Sequence, residues 1–333
     1  MNRTKLSLLL GVCLASPMLI ASPASAQEAS APSARGVQSD EVVVTAERRS
    51  TSVREVGFSI QAVSGEALQT AEIHSPTAVT RMVPGITLND SDHSLVVAAI
   101  RGSVSTFRTA TLDAPIGFFV DDVYYPYSSD LNTNWFDLNH AEILRGPQGT
   151  LFGRNVTGGA IVTLTNNPTF DEDYRLSLSA GNAGYIRTEG MVNGSIIDGV
   201  LAGRLAFTSE RIDGLIDTPN RTGNGGSSDG AAIRGKLLWT PAEHLRLTFS
   251  ADYSDRNGEG GANGLAAFRM DGATPIIPGT FNNASGSFST SHWSDSSSVD
   301  QPNSNIQRGA NLHAEADLGG GTLTSITSYR LSS

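Results

Sequence analysis

The sequence predicts an α+β domain followed by antiparallel strands of a transmembrane β-barrel. Three observations predict it: a mixed, glycine-punctuated segment over residues 51–166, long period-two runs from residue 167 onward, and links between those runs that alternate between short and long. No apolar run of about 18 residues lies beyond the N-terminus, which argues against a helical membrane protein. With 39% hydrophobic and 17% charged residues, the composition is that of a folded, mildly acidic chain.

Residues 1–26 read as a secretory signal. Arg3 and Lys5 form its charged region, Leu6 to Ile20 its apolar region, and Ala24-Ser25-Ala26 its small-residue cleavage site. The only cysteine, Cys13, lies inside the apolar stretch, and Val12 stands where a lipoprotein signal wants a small residue. A mature chain from Gln27 therefore has no thiol, so disulfides, cysteine-ligated zinc and thiol catalysis are excluded. Loss of Arg3 and Lys5 leaves 21 basic against 33 acidic residues, a net of −12, which does not suit a nucleic-acid partner.

Gln27 to Asp40 is Ala/Ser/Gln-rich without apolar periodicity and reads as a flexible lead. Glu41-Val42-Val43-Val44-Thr45-Ala46-Glu47 follows, a β-branched run held between charges. Alone it is either an ordinary edge strand or, on its tether, a strand able to add itself to another protein's open sheet edge. In the next segment, Val56 to Val63 predicts a strand, Ser64 caps a short helix at Gly65 to Leu68, and Ser75 to Met82 predicts a second helix ended by Pro84-Gly85. Leu95 to Ile100, Gly117 to Val120 and Ala141 to Leu144 predict further strands.

The densest signal is the run from Arg145 to Ile161, with five glycines and a proline in 17 positions. Such a run implies tight turns and close backbone approaches. A phosphate-cradling loop is ruled out, because Gly159-Ala160 stands where Lys-Ser or Lys-Thr is required.

This run resembles the signature of the TonB-dependent receptor plug, carried by Arg145, Gly146, Pro147, Gly149, Phe152, Gly153, Asn155, Gly158 and Gly159. Glu41 to Glu47 resembles the TonB box. Val83-Pro84-Gly85-Ile86, Ile100-Arg101-Gly102 and Val120-Asp121-Asp122-Val123-Tyr124 resemble plug landmarks in the expected order. Asp122 departs from the family, which usually has glycine in that tight turn; aspartate tolerates the left-handed conformation better than most residues. The resemblance implies a signal over 1–26, a lead with the TonB box over 27–50, a plug over 51–166 and barrel strands over 167–333. It also implies a monomeric, non-enzymatic receptor of the bacterial outer membrane. Its partners would be TonB with its inner-membrane energising complex, outer-membrane lipid and a metal chelate such as a ferric siderophore, with no nucleic acid, resident cofactor or bound metal.

The strands after Asn166-Asn167-Pro168 are legible without the family. From Leu245 to Tyr253 every odd position is apolar and every even one polar or charged, and Leu201 to Phe207, Ile233 to Trp239 and Ala310 to Leu318 alternate likewise. The links at Gly181 to Gly184, Asp213 to Gly230 and Arg256 to Pro302 include all the long ones, whereas Asp198-Gly199, Thr240 to His244 and Gly319 to Gly321 are all short. Long loops at one end and short turns at the other are what an outer-membrane barrel shows. This places the apolar face toward lipid and Arg175, Arg204, Arg234, Arg246 and Asp252 toward the lumen.

Seven strands are predicted, against about 22 in plugged outer-membrane transporters. An open sheet leaves edges in lipid, so the expectation is either a fragment of a longer reading frame or a gene remnant without transport activity. For the ligand-facing surface the plug offers Phe107, Arg108, Tyr124, Tyr125 and Tyr127, since arginine beside aromatics suits an anionic, aromatic-bearing chelate; packing against the barrel wall is the alternative for the tyrosines. The resemblance implies that Arg101 and Arg145 lock the plug to acidic residues of the wall.

Two other classes of protein share single features with this sequence. Gly226-Ser227-Ser228-Asp229-Gly230 matches the G-x-S-x-G motif of serine hydrolases but lies in a glycine/serine loop between strands. A passive pore or adhesin explains the long loops and not the plug. His74, His93, His140, His244, His292 and His313 show no short metal-ligand spacing. Asp121-Asp122 suits a turn better than a cation site. The lead from Gln27 to Asp40 leaves no room for an additional periplasmic signalling domain.

Overall fold

The computed structural model describes residues 43–44, 51–52, 57–91, 95–104, 114–126, 135–217, 224–259, 270–271, 274–275 and 302–333. Strand β1 (Val43–Val44) pairs antiparallel with β2 (Thr51–Ser52). The plug core contains β3 (Ile60–Ser64), helix α1 (Gly65–Thr70), a 3-10 turn (Thr77–Arg81), β4 (Ile86–Ser91), β5 (Leu95–Ile100) and β6 (Ser103–Val104). It continues with β7 (Ile116–Val120), β8 (Val123–Tyr125), β9 (Leu138–Arg145), helix α2 (Gly149–Phe152) and β10 (Gly159–Thr165).

Two sheets result, one of order β3-β9-β10-β7-β8 and one of order β4-β5-β6. The β7–β10 pair is parallel. Both faces of the larger sheet are covered. Ile143, Ile161 and Phe118 pack with Leu68, Val79 and Val83 on one side, while Leu144, Ala160, Val162 and Phe119 pack with Val156 and Phe152 on the other. Burial on both faces is why β7 and β10 read as nearly continuous apolar runs without alternation.

Ser64 is extended at φ −67° and ψ 152°, and its hydroxyl accepts from the Ala67 amide at 3.2 Å, as its sequence position predicts. Ser64→Ala is expected to lower plug stability by about 1 kcal/mol, read as a lower urea midpoint. The second predicted helix is a 3-10 turn, Thr77–Arg81, because Pro76 and the β-branched Thr77, Val79 and Thr80 disfavour an α-helix and Pro84 stops it. The first strand begins at Ile60, later than predicted among the described residues. Ile86–Ser91, Val123–Tyr125 and Gly159–Thr165 are strands that periodicity did not reveal.

The wall comprises β11 (Asp173–Ala180), β12 (Ile186–Ile197), β13 (Leu201–Ile212), β14 (Ser228–Ala242) and β15 (Leu245–Glu259). After a two-residue pair, β16 (Met270–Asp271) with β17 (Thr274–Pro275), come β18 (Pro302–Asp317) and β19 (Thr322–Ser332). β11 to β15, β18 and β19 form one seven-stranded antiparallel sheet in chain order, matching the predicted count. Its outer face exposes Leu176, Leu178, Leu323 and Tyr329, whereas Asn193, Arg234, Lys236 and Ser250 on the inner face are buried. Ile326 of the wall packs against the plug core, so this sheet is the surface on which the plug sits. Arg246 shares the inner-face parity of Ser250 and Asp252 and is exposed near the short-turn end.

Candidate functional site

The plug meets the wall through rows of charge. Asp121 and Asp122 form the two-residue turn between β7 and β8, with φ of 47° and 64°. Two left-handed residues make a turn whose twist matches its strands, and aspartate is among the few side chains that tolerate it. The turn delivers the Asp121 carboxylate to Lys236 Nζ at 2.9 Å. Thr165 donates to the same carboxylate from its amide at 2.8 Å and its hydroxyl at 2.6 Å. Burial raises the Asp121 pKa, but Lys236, Arg234 and the Thr165 hydrogen bonds outweigh it and hold the carboxyl below its ordinary range.

Asp137, also left-handed at φ 51°, accepts from Arg204 Nε at 2.8 Å and from its Nη2. Asn166 Nδ2 donates to Asp137 at 2.9 Å, fixing the carboxylate from the plug side. Arg204 and Lys236 are directly paired residues of adjacent strands, in register with Asn193, Ser250 and Asn311. Two plug carboxylates thus meet two wall bases lying side by side.

The next row adds aromatic contacts. Arg234 donates to the Phe136 carbonyl at 3.0 Å, and its guanidinium lies 4.3 Å over the Phe136 ring. Arg330 lies 4.4 Å over Tyr125 and donates twice to Asp252, at 2.9 and 2.8 Å. Gly309 sits between Asp252 and Arg330 in the register, and a Cβ there would meet Arg330 Nη1 at 2.5 Å. The missing side chain lets Arg330 cross a strand to reach both partners. Farther along, Arg187 joins Glu189 at 2.8 Å to Glu210 at 2.9 Å, while the Asp137 amide donates to Glu189 at 3.3 Å.

The structure brings Arg204, Arg234 and Asp252 into these rows, and Arg175 donates to Gln69 of α1. Arg145 acts within the plug, donating to Gln61 Oε1 at 2.8 Å and the Pro84 carbonyl at 2.7 Å. Arg101 is exposed in a left-handed turn position at φ 49°. The described plug-to-wall ion pairs therefore have the opposite polarity to the arginine lock that the resemblance implies: plug acids meet wall bases. The sequence marks Asp121 as a turn residue and gives no signal at Asp137, because neither carries a local motif for a contact with a distant strand.

Tyr125 is buried beneath Arg330, and Tyr124 is half-buried with its hydroxyl accepting from Asn155 Nδ2 at 3.0 Å. Burial of Tyr125 against the wall follows the packing alternative and corrects the ligand-facing expectation for that residue, whereas Tyr124 is half-buried and fits either reading. Phe107, Arg108 and Tyr127 lie outside the described residues, as do Glu41, Val42, Thr45, Ala46 and Glu47. Within the glycine-rich run, Phe152 stacks 4.7 Å from Phe119. Ser228 opens strand β14 and its hydroxyl accepts from Arg256 Nε at 3.1 Å, so the G-x-S-x-G match has no strand-to-helix turn to expose a nucleophile.

Residues 52–160 match the family model of the TonB-dependent Receptor Plug Domain. The chain is 29% identical over 191 residues to the pesticin receptor of Yersinia pestis, covering 55% of this chain and 27% of that protein. It is 25% identical over 215 residues to the ferrichrome outer membrane transporter/phage receptor of Escherichia coli K12, covering 62% of this chain and 26% of that one. The crystal structure of the ferric yersiniabactin uptake receptor FyuA from Yersinia pestis has the same fold, at TM-score 0.71 and 20% identity over 87% of this chain and 43% of that one. The chain thus spans about a quarter of the length of these curated relatives.

Residues 52–160 are thus a TonB-dependent receptor plug domain, a two-faced sheet seated on the inner side of consecutive antiparallel wall strands. The chain supplies that plug domain and the wall strands that follow it.

Proposed function

We propose that the intact receptor imports a ferric siderophore across the outer membrane, energised through TonB. The observation that carries this reading is how the plug is held. Its sheet carries its own apolar packing, and its hold on the wall combines charge pairs such as Asp121–Lys236 and Asp137–Arg204 with apolar contacts of Ile326 and of Phe136 against Met191, Ala206 and Ala232. Such pairs can part without unfolding the sheet between them. At the other end, Val43–Val44 is tied in a two-residue ladder to Thr51–Ser52, a short pairing that another protein's sheet edge could replace. Main-chain pairing over Glu41 to Glu47 shares a pulling load over several hydrogen bonds. Relatives named for ferrichrome and ferric yersiniabactin support chelated iron as the cargo. Phe107, Arg108, Tyr124 and Tyr127 remain the ligand-facing residues of this proposal, and Arg101 and Arg145 its candidates for a second lock to the wall.

Deleting residues 41–47 from the full reading frame is expected to abolish uptake of radiolabelled ferric siderophore by whole cells. Binding of the same chelate at the cell surface is expected to persist. Undiminished uptake would overturn the active mechanism and favour a passive pore.

A further inference from the structure

The outer face of the wall carries a groove of about 670 Å³ that the import mechanism does not use. Along it runs a row of directly paired outward positions, Tyr174, Val192, Leu205, Gly235 and Ala251. Beside this row lie Gly194, Gly203, Leu237 and Phe249, paired in the same way. Small residues at the centre leave backbone as much of the floor, with Ile196 leaning over Gly203, and the larger apolar side chains form the sides. A Cβ built on Gly235 has one neighbour within 4 Å, Leu205 Cδ1 in ordinary contact at 3.8 Å, so a larger side chain there would project into the depression without a clash at its base.

The groove has a direction. Tyr174 is the second residue of β11, at the short-turn end, whereas Ala251 is the seventh residue of β15 counted from the same end. The row spans five strands, roughly 19 Å across the sheet at about 4.8 Å per gap, and strand tilt carries it from the periplasmic rim toward the apolar band. At its lower mouth Glu172 is exposed, and its Cγ lies 3.5 Å from where a Cβ on Gly194 would be. The bases whose backbone borders the groove, Arg204 and Lys236, turn inward onto Asp137 and Asp121. The mouth therefore presents a carboxylate, and these two cations are committed to the plug.

We propose that this groove is a lipid site, holding one acyl chain of a periplasmic-leaflet phospholipid whose headgroup ammonium pairs with Glu172. The apolar floor accepts the chain, and the charge at the mouth selects a zwitterionic amine headgroup over an anionic one. The proposal needs only the lipid-facing orientation of the wall, so it stands or falls separately from iron import.

The test uses the receptor purified from outer membranes and titrated with phosphatidylethanolamine or phosphatidylglycerol under native mass spectrometry. The wild type is expected to retain one phosphatidylethanolamine several-fold better than phosphatidylglycerol. Gly235→Leu, which fills the floor, is expected to weaken retention about tenfold, the loss of about two buried methylenes. Glu172→Gln is expected to equalise the two lipids. Heat-modifiable migration on gels reports whether each variant is folded, and Ala251→Phe decides the matter if Gly235→Leu is not. Equal retention of both lipids by the wild type, or unchanged retention in a folded groove-filling variant, overturns the proposal.

Discussion

Gly159→Ala is expected to cost the plug about 3 to 5 kcal/mol, because overpacking and backbone strain act at one atom. Gly159 has φ +152°, and an added Cβ would lie 2.4 Å from the Leu144 carbonyl oxygen and 3.0 Å from Ile100 Cδ1. Relief by moving the chain is blocked. Gly159 pairs with Arg145 on one side and with Ile116 on the other, so a shift of β10 away from Leu144 drives it into β7. Gly149, ten positions earlier in the same motif, is the control: nothing lies within 4 Å of its added Cβ, and Gly149→Ala is expected to stay within about 0.5 kcal/mol. Limited trypsin digestion of the receptor in outer-membrane preparations distinguishes the two. The Gly159 variant should lose plug fragments at protease levels that leave wild type and the Gly149 variant intact. An equally resistant Gly159→Ala plug would show that the close approach to Leu144 is not limiting.

The contrast between these two glycines marks what the sequence makes legible. The run from Arg145 to Ile161 announces tight turns, but which glycine is constrained depends on the neighbouring backbone. The wall was readable because one face meets lipid and the other the plug, so Leu245 to Tyr253 alternates and the inward parity of Asp252 follows. β9 and β10, covered on both sides, have no alternation to read. Ile86–Ser91 is short and polar and takes its strand character from its hairpin partner Leu95–Ile100. The site was the least visible part. Arg204 and Arg234 could be assigned to the inner face, but Asp137 meets Arg204 across 67 positions, and only the seating of the plug brings them together. Tyr124 and Tyr125 show a related ambiguity: the same aromatic composition serves binding and packing alike.

Removing the Lys236 charge tests that seating directly. Lys236 has a side chain only 4% exposed and faces an Asp121 carboxylate that is 20% exposed. Lys236→Met is expected to cost about 3 kcal/mol, since it strands a largely buried anion whose remaining help is Arg234 and the Thr165 donors. Lys236→Met combined with Asp121→Asn should recover most of the loss, because the pair is then replaced by neutral groups of similar size. A double-mutant cycle read by urea unfolding isolates the coupling; simple additivity of the two single losses would mean the pair contributes nothing specific. Acid gives an independent readout. The Asp121 pKa lies below its ordinary 3.8 in the folded protein, so its contribution is complete above that value and is lost as pH falls through the lowered one. The wild-type stability curve should steepen in that acidic window, and Asp121→Asn should remove that part of the slope. The pair joins plug to wall and lies outside the plug's own apolar clusters, so at neutral pH it strengthens seating without being part of the sheet's internal packing, the separation between seating and folding that a movable plug requires.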